Sequence, residues 1–250
     1  MALTDKLKAI ADAIRSKAGT TDTMTLDQMP AAITNLPSGG SGATEPYVEE
    51  TYDTSGNLTA AKLVGHKYVR NYMFQRSTKL TTVELPSGIE KILIYAFDTC
   101  SVLKNIELPS GLTNIGNYAF NACNGLVLSE LPETITSIGD HSFYNCYNIK
   151  LSKLPDKLKV IKGNAFNSCR GMTISKIPAG VTSIGTQAFQ YCSGLTSITF
   201  MGTPNSITSS SFSNCTNLTT INVPWAEGAV AGAPWGASNA TINYNYTGEA

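Results

Sequence analysis

Charge is what this sequence has least of. Only 14% of its 250 residues are Asp, Glu, Lys or Arg, where a globular chain usually carries about a quarter. Eighteen basic and eighteen acidic residues cancel. Phosphate recognition needs an excess of Lys and Arg on some face, so no nucleic-acid partner is expected, and no polybasic membrane contact either. There is no run of 18 apolar residues, which excludes a spanning helix and with it membrane insertion. The opening MALTDKLKAI lacks an apolar signal-peptide core behind a basic head, so cytoplasmic synthesis is the expectation. Histidine is nearly absent. His66 and His141 have no second His, Asp or Glu at metal-ligand spacing. A nucleophile elbow, HExxH, CxxC and phosphate loop are all missing. Neither cofactor nor catalytic residue is expected; His141 with Tyr118 and Asp140 is the nearest, and weak, catalytic grouping.

What the chain does have is a repeat. Segments of the form LPSGLTNIGNYAFNACNGLVLSE begin at Leu85, Leu108, Leu131, Leu154 and Ile177, with a period of 23 and no insertion or deletion. A sixth, weaker copy begins at Phe200, and a degenerate earlier one runs from about Lys62 to Glu84. Seven of the eight phenylalanines fall in one column, Phe74 to Phe212, and all six cysteines in another, Cys100 to Cys215. Ile92 to Ile207 and Leu80 to Leu218 form two more. One 23-residue coil cannot bury its own apolar face, whereas stacked coils turn each column into a continuous seam, so the chain is a solenoid. The spacing of Leu195, Ile198 and Phe200 is the LxxLxL pattern of a strand, ended by the following Pro. GVTSIG then predicts a second short strand or turn, and the segment from AF to Cys one helical or 3₁₀ turn. Three middle coils move the second apolar residue one place earlier, to Leu128, Leu151 and Ile174, for which a bulge or a change of twist is expected. Coil spacing alone permits disulfides. Side chains of one column point the same way, however, so free buried thiols are expected, and a linear row is no tetrahedral metal site.

The pattern LPxxhTxIGxxAFxxCxxLxxI, over roughly residues 62 to 224, resembles the BspA-like class of bacterial leucine-rich repeats. That resemblance implies a right-handed superhelix with a parallel β-sheet on one face, and binding or adhesion rather than catalysis. Many proteins of that class are surface-attached through a signal peptide and a wall anchor, neither of which is visible here.

The two ends differ from the repeat. In LTDKLKAIADAIRSKAG, Leu3, Leu7, Ile10 and Ile14 share one helical stripe. Thr4 is placed to cap its start and Gly19 to stop it. A second short helix is expected from Thr25, with Gln28 as capping-box partner. The opening through MPAAI (residues 3–33) resembles the N-terminal segment of tail-associated structural proteins of phages and prophages of Gram-positive bacteria. The resemblance implies attachment of a distal domain to a tail or baseplate protein through residues 1–36, with the Leu3, Leu7, Ile10, Ile14 stripe as candidate attachment face. The expected organisation is a helical attachment module at 1–36, a Gly/Ser/Pro linker at 37–46, and an N-terminal cap with degenerate first repeat at 47–84. Six repeats then occupy 85–223 and a C-terminal cap 224–250. Trp225 and Trp235, the only tryptophans, lie in that cap, either plugging the core or binding a ligand.

One row of the repeat changes character along the chain: Glu84, Glu107, Glu130, Lys153, Lys176. It is either a solvated face or a ligand-contact strip. The function read from these residues and resemblances is non-enzymatic: a phage or prophage tail-associated protein, in the virion after cytoplasmic synthesis, recognising a host-surface protein or glycan through the repeat face. The alternative is a bacterial surface adhesin or secreted ligand-binding protein.

Overall fold

The structure, a computed structural model, describes residues 46–248. The expected helical module at 1–36 and nearly all of the linker at 37–46 lie outside the described residues. The strands, in chain order, are β1 Tyr47–Tyr52, β2 Leu58–Val64, β3 Tyr68–Val69, β4 Thr82–Glu84, β5 Lys91–Ile92, β6 Asn105–Ile106, β7 Asn114–Ile115 and β8 Ser137–Ile138. They continue as β9 Val160–Ile161, β10 Lys176–Ile177, β11 Ser183–Ile184, β12 Ser197–Phe200, β13 Ser206–Ile207, β14 Thr220–Asn222 and β15 Thr241–Asn243.

Each coil contributes to two faces rather than the expected one. The LxxLxL segments form the first face, and the short T-S-I segments form a second, continuous seven-stranded parallel sheet in the order β13-β11-β9-β8-β7-β5-β3. Between the faces the repeat Pro accepts a turn bond: Leu112 N–H donates to Pro109 O at 2.9 Å, and the other four repeats do the same. Beside the second face three coils close on a glycine, Gly116, Gly139 and Gly185, where the backbone of the preceding coil comes close. A Cβ on Gly139 would sit 2.6 Å from the backbone of Gly116 and Asn117 in the preceding coil.

The expected helical or 3₁₀ turn around AF and Cys is not what forms, and among the described residues there is no α- or 3₁₀-helix. Instead, residues at two positions per coil adopt left-handed backbone, for example Tyr95 (φ 57°) and Thr99 (φ 62°). Such conformations cost non-glycine residues about 1–2 kcal/mol each. They turn every second N–H along the solenoid axis. Tyr95, Phe97 and Thr99 thus donate to Asn117, Ala119 and Asn121 of the next coil at 3.0, 2.8 and 2.7 Å. A helix would spend those donors inside its own coil; here they join neighbouring coils and offset the strain.

The core lies between the two faces and this turn column. Phe74 to Phe212 are buried and stacked, with centroids 5.0–5.6 Å apart and planes within 14°. Trp235, fully buried, stands one period after Phe212 and completes the column. Trp225 and Phe200 pack against it. The tryptophans therefore close the core, which is the plugging role. All six cysteines are free and buried. Each thiol donates to the carbonyl of the Phe in the preceding coil, as Cys123 does to Phe97 O at 3.0 Å. At the N-terminal end β1 pairs antiparallel with β2, whose other edge joins the parallel series β2-β4-β6.

Candidate functional site

The first face is split. Its strands form one sheet in the order β1-β2-β4-β6 and another in the order β10-β12-β14-β15, and the two coils between β6 and β10 contribute no strand. The cause lies in the shifted apolar residues. In a regular coil Ile106 is buried, Glu107 is exposed, and the half-buried Leu108 follows, a period of two. In the next coil Leu128 and Leu131 are both buried, so two consecutive residues, Ser129 and Glu130, turn outward. Ser152 with Lys153, and Ser175 with Lys176, repeat the arrangement. Two outward residues in succession break the pleat. The backbone register shows the slip. Val127 N–H donates to Lys104 O (2.8 Å), but Lys150 donates to Leu128 O (2.9 Å) and Thr173 to Leu151 O (2.8 Å), one residue out of step. Thr199 to Ser175 O (2.8 Å) corrects it, and pairing resumes. The expected bulge is thus a slip carried through three coils and then reversed.

The charged row lies along this break. Glu84 ends β4, Glu107 follows β6, Glu130 and Lys153 occupy the strandless coils, and Lys176 opens β10; all five are exposed. Lys62, in register with Glu84, is paired with Glu49 at 3.4 Å. Beyond Lys176 the row becomes amide and hydroxyl. Asn222 Nδ2 donates to Thr199 Oγ1 at 3.1 Å, and Asn243 Nδ2 to Asn222 Oδ1 at 2.8 Å.

A cleft of about 630 Å³ opens where the sheet is broken, walled by Glu107, Glu130, Glu133, Lys153, Ser129 and Ser152 among others. A second, of about 380 Å³, continues from Lys153 to Lys176 and Met201. Three of the five row residues therefore meet in one cleft and two in the next, with Lys153 common to both. Glu84 lines neither of them. Glu133 forms an ion pair with Lys153 and accepts the Asp156 N–H at 2.9 Å. The Lys153 ammonium holds the Glu133 carboxyl below its usual range, and Glu133 in turn raises the Lys153 ammonium. Sequence reasoning did not single out Glu133 or the column Ser129, Ser152, Ser175. The available signal was that each Ser stands where a regular coil has Ile.

The remaining expectations are located as follows. His141 stacks on Tyr118 with centroids 4.6 Å apart, extending an outer column from Tyr72 and Tyr95. Asp140 makes its contacts elsewhere: its carboxylate accepts Gly163 N–H at 3.1 Å and lies 3.8 Å from Lys162 Nζ. The three do not form a proton relay, and the His141 Nδ1 is buried without a partner. Among the described residues no group of three or more His, Cys, Asp or Glu is placed to hold a metal, and no helix is long and apolar enough to cross a membrane. The candidate attachment face, Leu3, Leu7, Ile10 and Ile14, lies outside the described residues.

A family model described as BspA type leucine rich repeat region (6 copies) matches residues 67–190 and 126–227. Among solved structures, a leucine-rich-repeat protein of T. pallidum matches with a TM-score of 0.57 and 24% identity, over 68% of this chain and 87% of that one. Another, from Bacteroides ovatus, matches with a TM-score of 0.50 and 21% identity, over 74% and 60%. At these identities the likeness concerns the fold. No curated protein matches the sequence.

Proposed function

Because the chain belongs to the BspA-type leucine-rich-repeat family, we infer that it is a non-enzymatic recognition protein whose contact surface is the broken first face. One observation carries this reading. The exposed row Glu107, Glu130, Lys153, Lys176 follows the two clefts opened by the break, so the face that departs from the regular repeat is also the face with charge arranged along it. Solenoids present broad, extended surfaces of this kind to their partners. The finer reading is a phage or prophage tail-associated protein that recognises a host-surface protein or glycan. It is supported by the likeness of residues 3–33 to tail-associated segments and by the apolar stripe Leu3, Leu7, Ile10, Ile14, which suits a helix docked on a tail or baseplate protein. Several copies held on one particle would multiply weak single contacts through effective concentration.

The test is genetic. Deleting residues 1–36 abolishes incorporation into particles while leaving the solenoid folded, and E107K/E130K leaves incorporation intact but alters adsorption to cells. Normal incorporation of the truncated chain refutes the attachment role. Particle association absent even for the full chain replaces this reading with the second one, a bacterial surface adhesin, which family membership by itself favours.

A further inference from the structure

We propose that the break in the first face is a groove for an extended peptide segment that carries basic side chains at one end and acidic side chains at the other. The proposal rests on the recognition role given to this face above and names the chemistry of what it recognises.

Two independent features point to a peptide. The first is hydrogen bonding. The N–H groups of Ser129, Glu130, Ser152 and Lys153 donate to no acceptor in the described residues, and neither do the hydroxyls of Ser129 and Ser152. A strand ladder would have consumed those N–H groups. The slip leaves them on exposed residues, as donors to the carbonyl and hydroxyl oxygens of a segment lying across the coils. The second is charge order. Glu107 and Glu130 stand on adjacent coils, then Lys153 and Lys176. Coils about 4.8 Å apart place the outer pair about 14 Å apart, the span of an extended chain of about four to five residues. Like charges on neighbouring strands destabilise each other. Glu133 already pairs with Lys153, so a ligand with the inverse order chiefly relieves the Glu107–Glu130 repulsion and sets a counter-charge beside Lys176, whereas a uniformly charged ligand serves one end and opposes the other.

The lining argues against other occupants. No aromatic side chain borders either cleft, so there is no ring face on which a base would stack. Small-molecule sites are enclosed and mostly apolar, whereas the larger cleft is an open groove with Glu107, Glu130, Glu133 and Lys153 in its walls.

The test uses the full chain and a fluorescein-labelled peptide, KSKGTGESE, with KSKGTGKSK and ESEGTGESE as controls. Fluorescence anisotropy at low salt should show the bipolar peptide binding at least about tenfold more tightly than either control, and weakening as salt rises. K153E/K176E should lose the bipolar peptide and gain KSKGTGKSK. The fourfold swap E107K/E130K/K153E/K176E should bind the bipolar peptide again, because an extended segment can lie in the reverse direction. All four positions are exposed, and circular dichroism confirms that the variants fold. Equal affinity for the three peptides, or indifference to the swaps, overturns the proposal. So does sedimentation showing that the wild type self-associates and K153E/K176E does not, since a second copy is then the occupant. Binding of a neutral glycan that the swaps alter, without peptide binding, also overturns it. Failure here with cell adsorption still sensitive to E107K/E130K removes the peptide and keeps the recognition face; peptide binding with adsorption unchanged does the reverse.

Discussion

Replacing Phe143 with Ala tests the packing on which the whole solenoid depends. Phe143 is fully buried in the middle of the column, with Phe120 at 5.3 Å and Phe166 at 5.4 Å and interplanar angles of 3° and 2°. Truncation removes a ring that has neighbours on both faces and leaves a cavity that two rigid coils cannot collapse. The expected cost is about 3–5 kcal/mol. For a domain of this size about 2–4 °C of melting temperature corresponds to each kcal/mol, so the transition should fall by about 6–20 °C. Thr136→Ala is the matched control. That side chain is exposed, and its hydroxyl makes one long bond, 3.4 Å, to Thr113 O, so a change within about 0.5 kcal/mol is expected. Far-UV circular dichroism is the appropriate assay because it reports all the coils, whereas the tryptophans report only the C-terminal end, where both lie. Coils interact mainly with their neighbours, so a defect at Phe143 should also shift the Trp fluorescence transition less than the dichroism transition. Equal melting temperatures for the two variants would refute the assignment of the Phe column as the core seam.

Two further outcomes follow from buried titratable groups. Burial pushes the thiols of Cys100 and Cys215 up to about 12, and the four interior ones rise as well. Thiolate is the reactive form, so a thiol reagent at pH 8 should find almost no reactive group in the native protein and six after unfolding without reductant; fewer than six would show bridges. Burial also lowers His66 and His141, with Arg70 adding to the effect at His66. A lowered folded value means that the unfolded chain binds the proton more readily. Stability is therefore full above the ordinary histidine value near 6.5 and declines as pH falls from there toward the folded values. His141→Asn, which places at this left-handed position the residue found one coil later at Asn164 (φ 53°), should reduce the decline between about pH 6.5 and 5. An unchanged slope in denaturation midpoints would show that His141 does not contribute.

Much of the core was legible because the period is strict. Once Phe74 and Phe97 are known to share a column, every later Phe is placed, and the same holds for Cys. The turn column was not legible as such. A segment such as NYAFNAC has the composition of a helical turn, and only the stacked neighbour shows that the N–H groups of Tyr118 and Phe120 leave the coil for Asp140 and Ser142. The second sheet was half legible, since a two-residue strand such as Asn114–Ile115 carries too little local pattern to separate strand from turn. At the candidate site the five-residue row was visible as a repeat position. Glu133 was not, because its partner Lys153 lies 20 residues on, off the period, and is brought near by the Pro132 turn.

The slip in the middle coils has an energetic logic that explains how a regular solenoid tolerates it. Regular and slipped coils place comparable apolar residues in the core. Leu128, Leu151 and Ile174 are buried where regular coils bury Ile106 and Ile198. The hydrophobic contribution, which scales with apolar area removed from water, is therefore conserved, and the Phe and Cys columns run through these coils undisturbed. What is lost is a few ladder hydrogen bonds, each worth only about 0.5–1.5 kcal/mol net, because the freed groups lie on exposed residues that water can reach. Buried, the same loss would leave unsatisfied donors. The Ile-to-Ser exchange at 129, 152 and 175 thus removes the ladder only at the surface, where removal is cheap. It leaves backbone donors, hydroxyls and charges side by side on a rigid support. A fold whose stability resides in its buried columns is free to vary its first face in this way, and restoring the regular pattern with V127K/L128N/S129I, which copies Lys104, Asn105 and Ile106, should keep the fold, extend the sheet across this coil, and diminish the cleft beside Glu130.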